Sequence, residues 1–486
     1  MTVDEQVPLA ETPGVRALPH LSDEESRAKG KAARDKTPRD SQAVLEPGPE
    51  RPDPVALLEE QATTRVPELV PIRYGRMLVS PFTFFRGAAL IMASDLSTTP
   101  RSWLHAQICG DAHLSNFGVF GTPERQLVFD CNDFDETLPG PWEWDVKRLA
   151  ASIVVAARQR GFSKDVRTEA ILGLGKIYRD SMRMMATMNN LEVWYSRVEI
   201  EPIVDIMQTQ AAQGTKADVK MASTASKLVA KAHTKDSMKA LDKLTYVVDG
   251  ERRIISDPPL VVPVEELFAD VDAERMIEVF HGVVRLYRQS LATDRRHLLE
   301  QFTVSQMARK VVGVGSVGTR AWILLLHGPR QEDVLFLQAK EAEASVLERF
   351  VKKSQYNNHG ARVVAGQRVM QASSDIFLGW QRAHGVDGVD RDYYIRQLQD
   401  WKGSVDVDTA IPEGVKAYAE LCAHSLARAH ARSGDRIAIA SYMGAKPTFE
   451  KALVRFAETY ADQNERDYEA FAVACKSGRL HAEEGL

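Results

Sequence analysis

Cysteine is scarce: only Cys109, Cys131, Cys422 and Cys475 occur in 486 residues, far apart and with no CxxC or Cys/His ligand spacing. That excludes a disulfide framework and a zinc module, and it fits a reducing compartment. A basic excess is missing as well, since 62 Lys+Arg stand against 67 Asp+Glu for a net charge of −5. A chain that coats a polyanion needs the opposite balance, so nucleic acid is not an expected partner. No stretch holds eighteen uncharged apolar residues, which leaves no helical membrane span. The first twenty residues carry early acids and prolines where a secretion signal needs basic residues and then an apolar run. The expectation is a soluble cytoplasmic protein with no membrane partner.

Eight of the 22 prolines fall within the first 54 residues, mixed with charges and without apolar periodicity. Such a segment buries too little surface to offset its ordering entropy, so residues 1–52 read as a disordered tail. Three further parts follow: 53–244, carrying two polar loops; 245–405, rich in strand-like runs; and 406–486, helical. WEWDVKRLAASIVVAARQRG places Val146, Leu149, Ile153 and Ala156 at helical spacing and stops at Gly161, with Ser163 positioned to cap the next helix. LTYVVDGERRIIS, with Asp249-Gly250 between β-rich runs, reads as a hairpin.

Chemistry concentrates in two places. WLHAQICGDAHLSNFGVF and RQLVFDCNDFDET contain short apolar runs that end in Asp, His and Asn clusters, as buried strands do at a polar site. Phosphoryl transfer from a nucleotide needs a carboxylate to orient and deprotonate the acceptor, and an amide with further carboxylates to hold Mg²⁺ on the phosphates. Asp111 fits the base, Asn116 and Asp133 the metal ligands, and Asp135 a second-metal or supporting carboxylate. His113 reads as a hydrogen-bonded brace for the loop. The bland alternative, turns and helix caps, is weakened by the pairing of two such clusters. Arg86 and Arg148 are placed either to face the cleft or to pair with the nearby carboxylates.

Two hundred residues later, Gly313, Gly315, Ser316 and Gly318 lie in VVGVGSVGT between two strand-like runs. A dinucleotide fingerprint must open a helix, so this context favours a glycine-rich hairpin laid over phosphates. A strand ending in Lys340 follows, with Glu341, Glu343 and Glu348 at the start of a further expected helix. Glycine loop, strand lysine and helix glutamate is the order that positions ATP in kinases.

RYGRMLVSPFTFFRGAA, CGDAHLSNFGVF, VFDCNDFDETLPGPWEWDVKRLAASIVVAARQRG, ARKVVGVGSVGTR and YYIRQLQDWKGS resemble the bacterial family called domain of unknown function 2252 over nearly the whole chain beyond the tail. A partial similarity also runs to the aminoglycoside phosphotransferase and choline kinase branch of the protein-kinase-like fold. There a GDxHxxN loop precedes an IDF(D/E) segment and a WD or YD pair. Asp111, His113 and Asn116 match the first, Asp133 and Asp135 the second, and Trp144-Asp145 the third. The resemblance implies that Asp145 holds the catalytic loop through its backbone amides and that Lys340 contacts the nucleotide phosphates, with Glu348 as its partner. It also implies that YYIRQL is the hinge strand, with Gln397 and Leu398 beside the adenine. Those kinases run glycine loop, lysine, hinge and then catalytic loop, so the order here is permuted.

The fold expected is α/β of the α+β kind, a two-lobed kinase-like fold in circularly permuted order. The function expected is ATP- and Mg²⁺-dependent phosphoryl transfer to the hydroxyl of a small-molecule acceptor. Two other classes compete: a non-catalytic nucleotide-binding scaffold, and a metal-dependent hydrolase using Asp111, His113, Asp133 and Asp135 as ligands.

Overall fold

The computed structural model describes residues 21–485 apart from 235–236, 249–250, 269–281, 331–332, 386, 399–400, 402 and 404–408. Residues 1–20 of the expected tail and the Asp249-Gly250 turn lie outside the described residues.

The architecture is mixed, with more helix than strand. Four short strands come first: β1 (His105–Ile108), β2 (Phe117–Gly121), β3 (Leu127–Cys131) and β4 (Leu138–Pro141). β1 pairs with β4 and β2 with β3, both antiparallel. Their pairing brings the 109–116 loop, between β1 and β2, beside the 132–137 loop, between β3 and β4. The β5–β6 hairpin (Thr245–Val248 and Glu251–Ile254) follows. A six-stranded sheet is then built from β7 (Val261–Pro263), β8 (Thr303–Lys310), β9 (Ala321–His327), β10 (Val334–Ala342), β11 (Gly379–His384) and β12 (Asp390–Gln397). Its order is β11-β12-β10-β9-β8-β7, antiparallel throughout. Alternation along β9 and β10 gives the sheet two apolar faces. Leu324, Leu326, Leu335 and Leu337 pack with Tyr287 and Ile395 on one. Ile323, Leu325 and Phe336 pack with Leu241, Leu244 and Leu398 on the other.

The helical part takes its pieces from both sides of the sheet in sequence. Helix Pro412–Ser433 packs along helix Lys164–Met185, and helix Thr448–Lys476 along Trp142–Gln159. Trp142, stacked on Tyr178 with ring centroids 5.4 Å apart, sits in the core with Phe449 and Tyr442. A buried ion pair joins the parts: Arg428 donates to Asp130 at the end of β3 and to Met370 O (3.0 Å), while Asp130 also accepts from Ala372 N–H (2.9 Å). Both side chains are essentially inaccessible, 0% and 1% exposed.

The tail reading is corrected from residue 21 onward. Asp23–Lys36 is a helix opened by a Ser22–Glu25 capping box, and it packs on helix Arg436–Met443. Little apolar surface is needed, because Gly30 lets the two backbones meet: a Cβ there would fall 2.1 Å from Ala438 O. Arg34 and Arg39 donate to Ser441 O and Met443 O, the orphan carbonyls of that helix end, and Lys29 pairs with Asp435.

Arg428→Met strands the Asp130 carboxylate in the core and is expected to cost about 3–5 kcal/mol of stability. Chemical denaturation measures this, and a loss under 1 kcal/mol contradicts a joining role for the pair.

Candidate active site

The 109–116 loop is shaped by one carboxylate. Asp145, in the first turn of helix Trp142–Gln159, accepts the backbone N–H groups of Cys109 (2.7 Å) and Gly110 (2.9 Å). His430 Nε2 lies 3.3 Å from the same carboxylate, and its Nδ1 meets the Tyr178 hydroxyl at 2.8 Å. Gly110 turns the chain at φ +79°, and a Cβ there would come within 2.5 Å of Glu136 O. The two acid loops therefore touch at this glycine.

Asp111 follows the turn and is ion-paired to Arg148, whose Nη2 also donates to Phe85 O (3.1 Å). About 20% of the Asp111 side chain stays open to the cleft. Burial raises its carboxyl to about 7; Arg148 opposes that rise, while Glu136 and Asp133 add to it. His113 is held well below its ordinary value by burial and by Arg86 and Arg148, so its imidazole is neutral. His113 Nε2 lies 3.8 Å from Asp111, and its backbone closes the loop through Asp111 O and Asn116 N–H. Asn116 Nδ2 donates to Asp111 O at 2.6 Å, which leaves Oδ1 as the atom a cation would take.

Across the cleft, the glycine-rich segment joins β8 to β9 as a hairpin loop, with Gly313 and Gly318 at φ +66° and +89°. Lys340 on β10 reaches Asp135 at 2.7 Å and Asp133 at 3.7 Å. Tyr394 on β12, directly opposite Lys340 in the ladder, donates to Asp135 at 2.6 Å, and the Ser316 hydroxyl does so at 3.1 Å. Burial works against both charges of the pair. Asp133 and Asp135 nonetheless raise the Lys340 ammonium above its usual range, and Lys340 and Tyr394 hold Asp135 below its own. Asp111, His113, Asn116, Asp133, Asp135, Gly313, Gly315 and Ser316 all line a single cleft that is open to solvent.

Two expected placements are corrected. Glu348 is not the partner of Lys340. It lies in the short 3₁₀ turn Val346–Arg349, and the next long helix starts only at His359. There its charge acts on His359 and Arg362. Helix His359–Met370 contains no acidic residue, and its Arg362 donates to the backbone carbonyls of Asp135, Thr137 and Glu343. Gln397 and Leu398 do not present free backbone donors to a base. Gln397 N–H is taken by Asp375 at 2.6 Å and Leu398 N–H by Phe336 O at 3.0 Å, while the Leu398 side chain is buried. Gln397 lines a separate, smaller cavity with Asp375, Arg396 and Asn132.

Sequence reasoning missed Arg65 and Arg73, which line the cleft beside Arg86. Neither lies in a polar cluster nor at the end of an apolar run, and the contact of Arg65 to Val317 O in the glycine loop spans 252 residues. Among the described residues, no three His, Cys, Asp or Glu side chains converge as a metal-ligand set. Mg²⁺ commonly takes only one or two protein carboxylates and completes its shell with phosphates and water, and Asp133, Asp135 and Asn116 suit that mode.

Carboxyl NMR on Asp111 is expected to show titration near pH 7, moving down in Glu136→Gln and up in Arg148→Met. Because the folded value exceeds the ordinary 3.8, this group's contribution to stability is fully present in acid and lost as pH rises through about 7. Titration in the ordinary carboxylate range contradicts the assignment.

Neither the curated proteins nor the solved structures contain a match to the chain. A family model described as an uncharacterized protein conserved in bacteria matches residues 65–474, a span that holds both acid loops, the glycine hairpin, Lys340 and helix Pro412–Ser433. On that match the chain belongs to the bacterial family domain of unknown function 2252.

Proposed function

We propose that the cleft transfers a phosphoryl group from ATP to the hydroxyl of a small molecule. The observation that carries this reading is that Asp111, Asn116, Asp133, Asp135 and the glycine hairpin line one cleft, with the buried strand lysine Lys340 held on Asp133 and Asp135. The glycine hairpin and Lys340 would seat the phosphates. Mg²⁺, held by Asp133 and Asp135 with Asn116, would supply neutralising charge at the transferred group. Asp111 is the base: a carboxyl raised to about 7 is a stronger proton acceptor than an ordinary aspartate and still ionises at neutral pH. Asp145 positions it through the backbone.

The run of β8, glycine loop, β9, lysine strand β10, helix His359–Met370, β11 and β12 has the order expected of a nucleotide lobe in the kinase-like reading, with the acid loops placed before it in sequence. This supports the permuted kinase-like reading. One departure is chemical: Asp135 takes the lysine in place of a helix glutamate.

A non-catalytic nucleotide-binding scaffold is the second reading. It is favoured by the closed Lys340–Asp135 pair and by the committed donors of Gln397 and Leu398. The hydrolase alternative has no comparable support, since the acids do not gather as a ligand set among the described residues.

Calorimetry with ATP is expected to show Mg²⁺-dependent binding, weakened about tenfold or more in Lys340→Ala and in Asp133→Asn. No ATP binding at all removes the proposal. In a screen of hydroxyl acceptors, Asp111→Asn is expected to lower transfer about 10²- to 10⁴-fold. The wild-type rate should rise with pH through about 7, as Asp111 loses its proton. ATP binding without transfer to any acceptor favours the scaffold, and full transfer by Asp111→Ala sinks the assigned base.

A further inference from the structure

The wall of the cleft facing the acid loops comes from residues 61–89 and is basic. Arg65 follows helix Pro54–Ala62, Arg73 lies on helix Val70–Leu78, and Arg86 lies on helix Pro81–Gly87. Arg73 is fully buried, yet it lines the cleft. Its Nη2 donates to Gly87 O (3.0 Å) and Gln61 Oε1 (3.2 Å), while Nε and Nη1 have no partner among the described residues. A guanidinium cannot escape this by losing its proton, and buried cationic donors left unpaired are costly. Arg65 repeats the pattern: one nitrogen donates to Val317 O, and Nε is buried without a partner.

The wall is fixed to the glycine hairpin. Arg76 donates to Gly313 O at 2.8 Å, Val66 N–H to Gly318 O at 2.8 Å, and Val314 packs in the cluster of Tyr74 and Ile91. The charges acting on the two guanidinium groups can be named. Burial works against the charge of Arg65, with Glu343, Glu136 and Asp135 opposing it, whereas burial and the neighbouring Arg65 both work against the charge of Arg73. A ligand oxyanion would supply what Arg73 lacks.

We propose that Arg73 and Arg65 form an oxyanion subsite, separate from the nucleotide's phosphate seat, that takes a phosphate group carried by the acceptor. The substrate class is then a hydroxylated small molecule already bearing a phosphomonoester. Its phosphate is bound on the guanidinium wall and its hydroxyl is presented to Asp111. No bond to the resident phosphate breaks; it serves as an anchor. The identity of the anion's carrier rests on the phosphotransfer reading, but the subsite itself does not.

The test is calorimetry with inorganic phosphate on the full chain, alone and with a saturating non-hydrolysable ATP analogue and Mg²⁺ present. Wild type is expected to bind phosphate under both conditions. Arg73→Gln and Arg65→Gln should each weaken it about tenfold or more, with partial recovery in Arg73→Lys. Arg65 is only half-buried, so Arg65→Gln carries the test if Arg73→Gln fails to fold. Phosphate displaced one for one by the analogue assigns the wall to the nucleotide and overturns the proposal. So does an affinity unchanged by the arginine variants, absence of phosphate binding, or retention as an adventitious ion only, with no dependence on Arg65 or Arg73. Arginine-dependent phosphate binding in a protein that ignores the ATP analogue upholds the subsite and removes the phosphotransfer reading instead.

Discussion

The Asp135 carboxylate is the contact on which the rest of the cleft depends. It receives the ammonium of Lys340, the hydroxyl of Tyr394 and the hydroxyl of Ser316, while its backbone carbonyl accepts Arg362. One residue between β3 and β4 thus holds the lysine strand, the last strand, the glycine hairpin and helix His359–Met370. Asp135 is half-buried, and a carboxylate partly withdrawn from water is held best by several donors at once, so these elements are drawn to it together. The sheet cannot slide over the helical part without stranding that charge.

Around this anchor the cleft is two-signed. Carboxylates from the 109–116 and 132–137 loops gather on one side and guanidinium groups from residues 61–89 on the other. A cleft of this kind orients a polar ligand before any chemistry begins, because its field has a direction.

What was legible in the sequence was local. Short apolar runs ending in Asp, His and Asn marked β1 and β3, and glycines between two β-rich runs marked the hairpin over the cleft. Ser163 caps the helix after Gly161, its side chain accepting from Val166 N–H at 3.4 Å. What was not legible depended on distant partners. Residues 23–36 carry too little apolar surface to announce a folded helix, and their docking rests on the close approach at Gly30 and on arginines reaching carbonyls some four hundred residues away. Local sequence offers Lys340 a glutamate from the next segment, whereas the carboxylate it meets lies 205 residues earlier. Nothing local to Gln397 reveals that Asp375 already occupies its N–H.

The separations of the buried pairs have a consequence for synthesis. Asp130 finds Arg428 at a distance of 298 residues, and Asp145 finds His430 at 285. At roughly 5–20 residues per second, a ribosome needs about 15–60 s to deliver those partners. Throughout that interval the acid loops exist as chain but lack the helix that sets them. Any chemistry of the cleft therefore becomes available only when helix Pro412–Ser433 has emerged, so a nascent or prematurely terminated chain carries the motifs without the site.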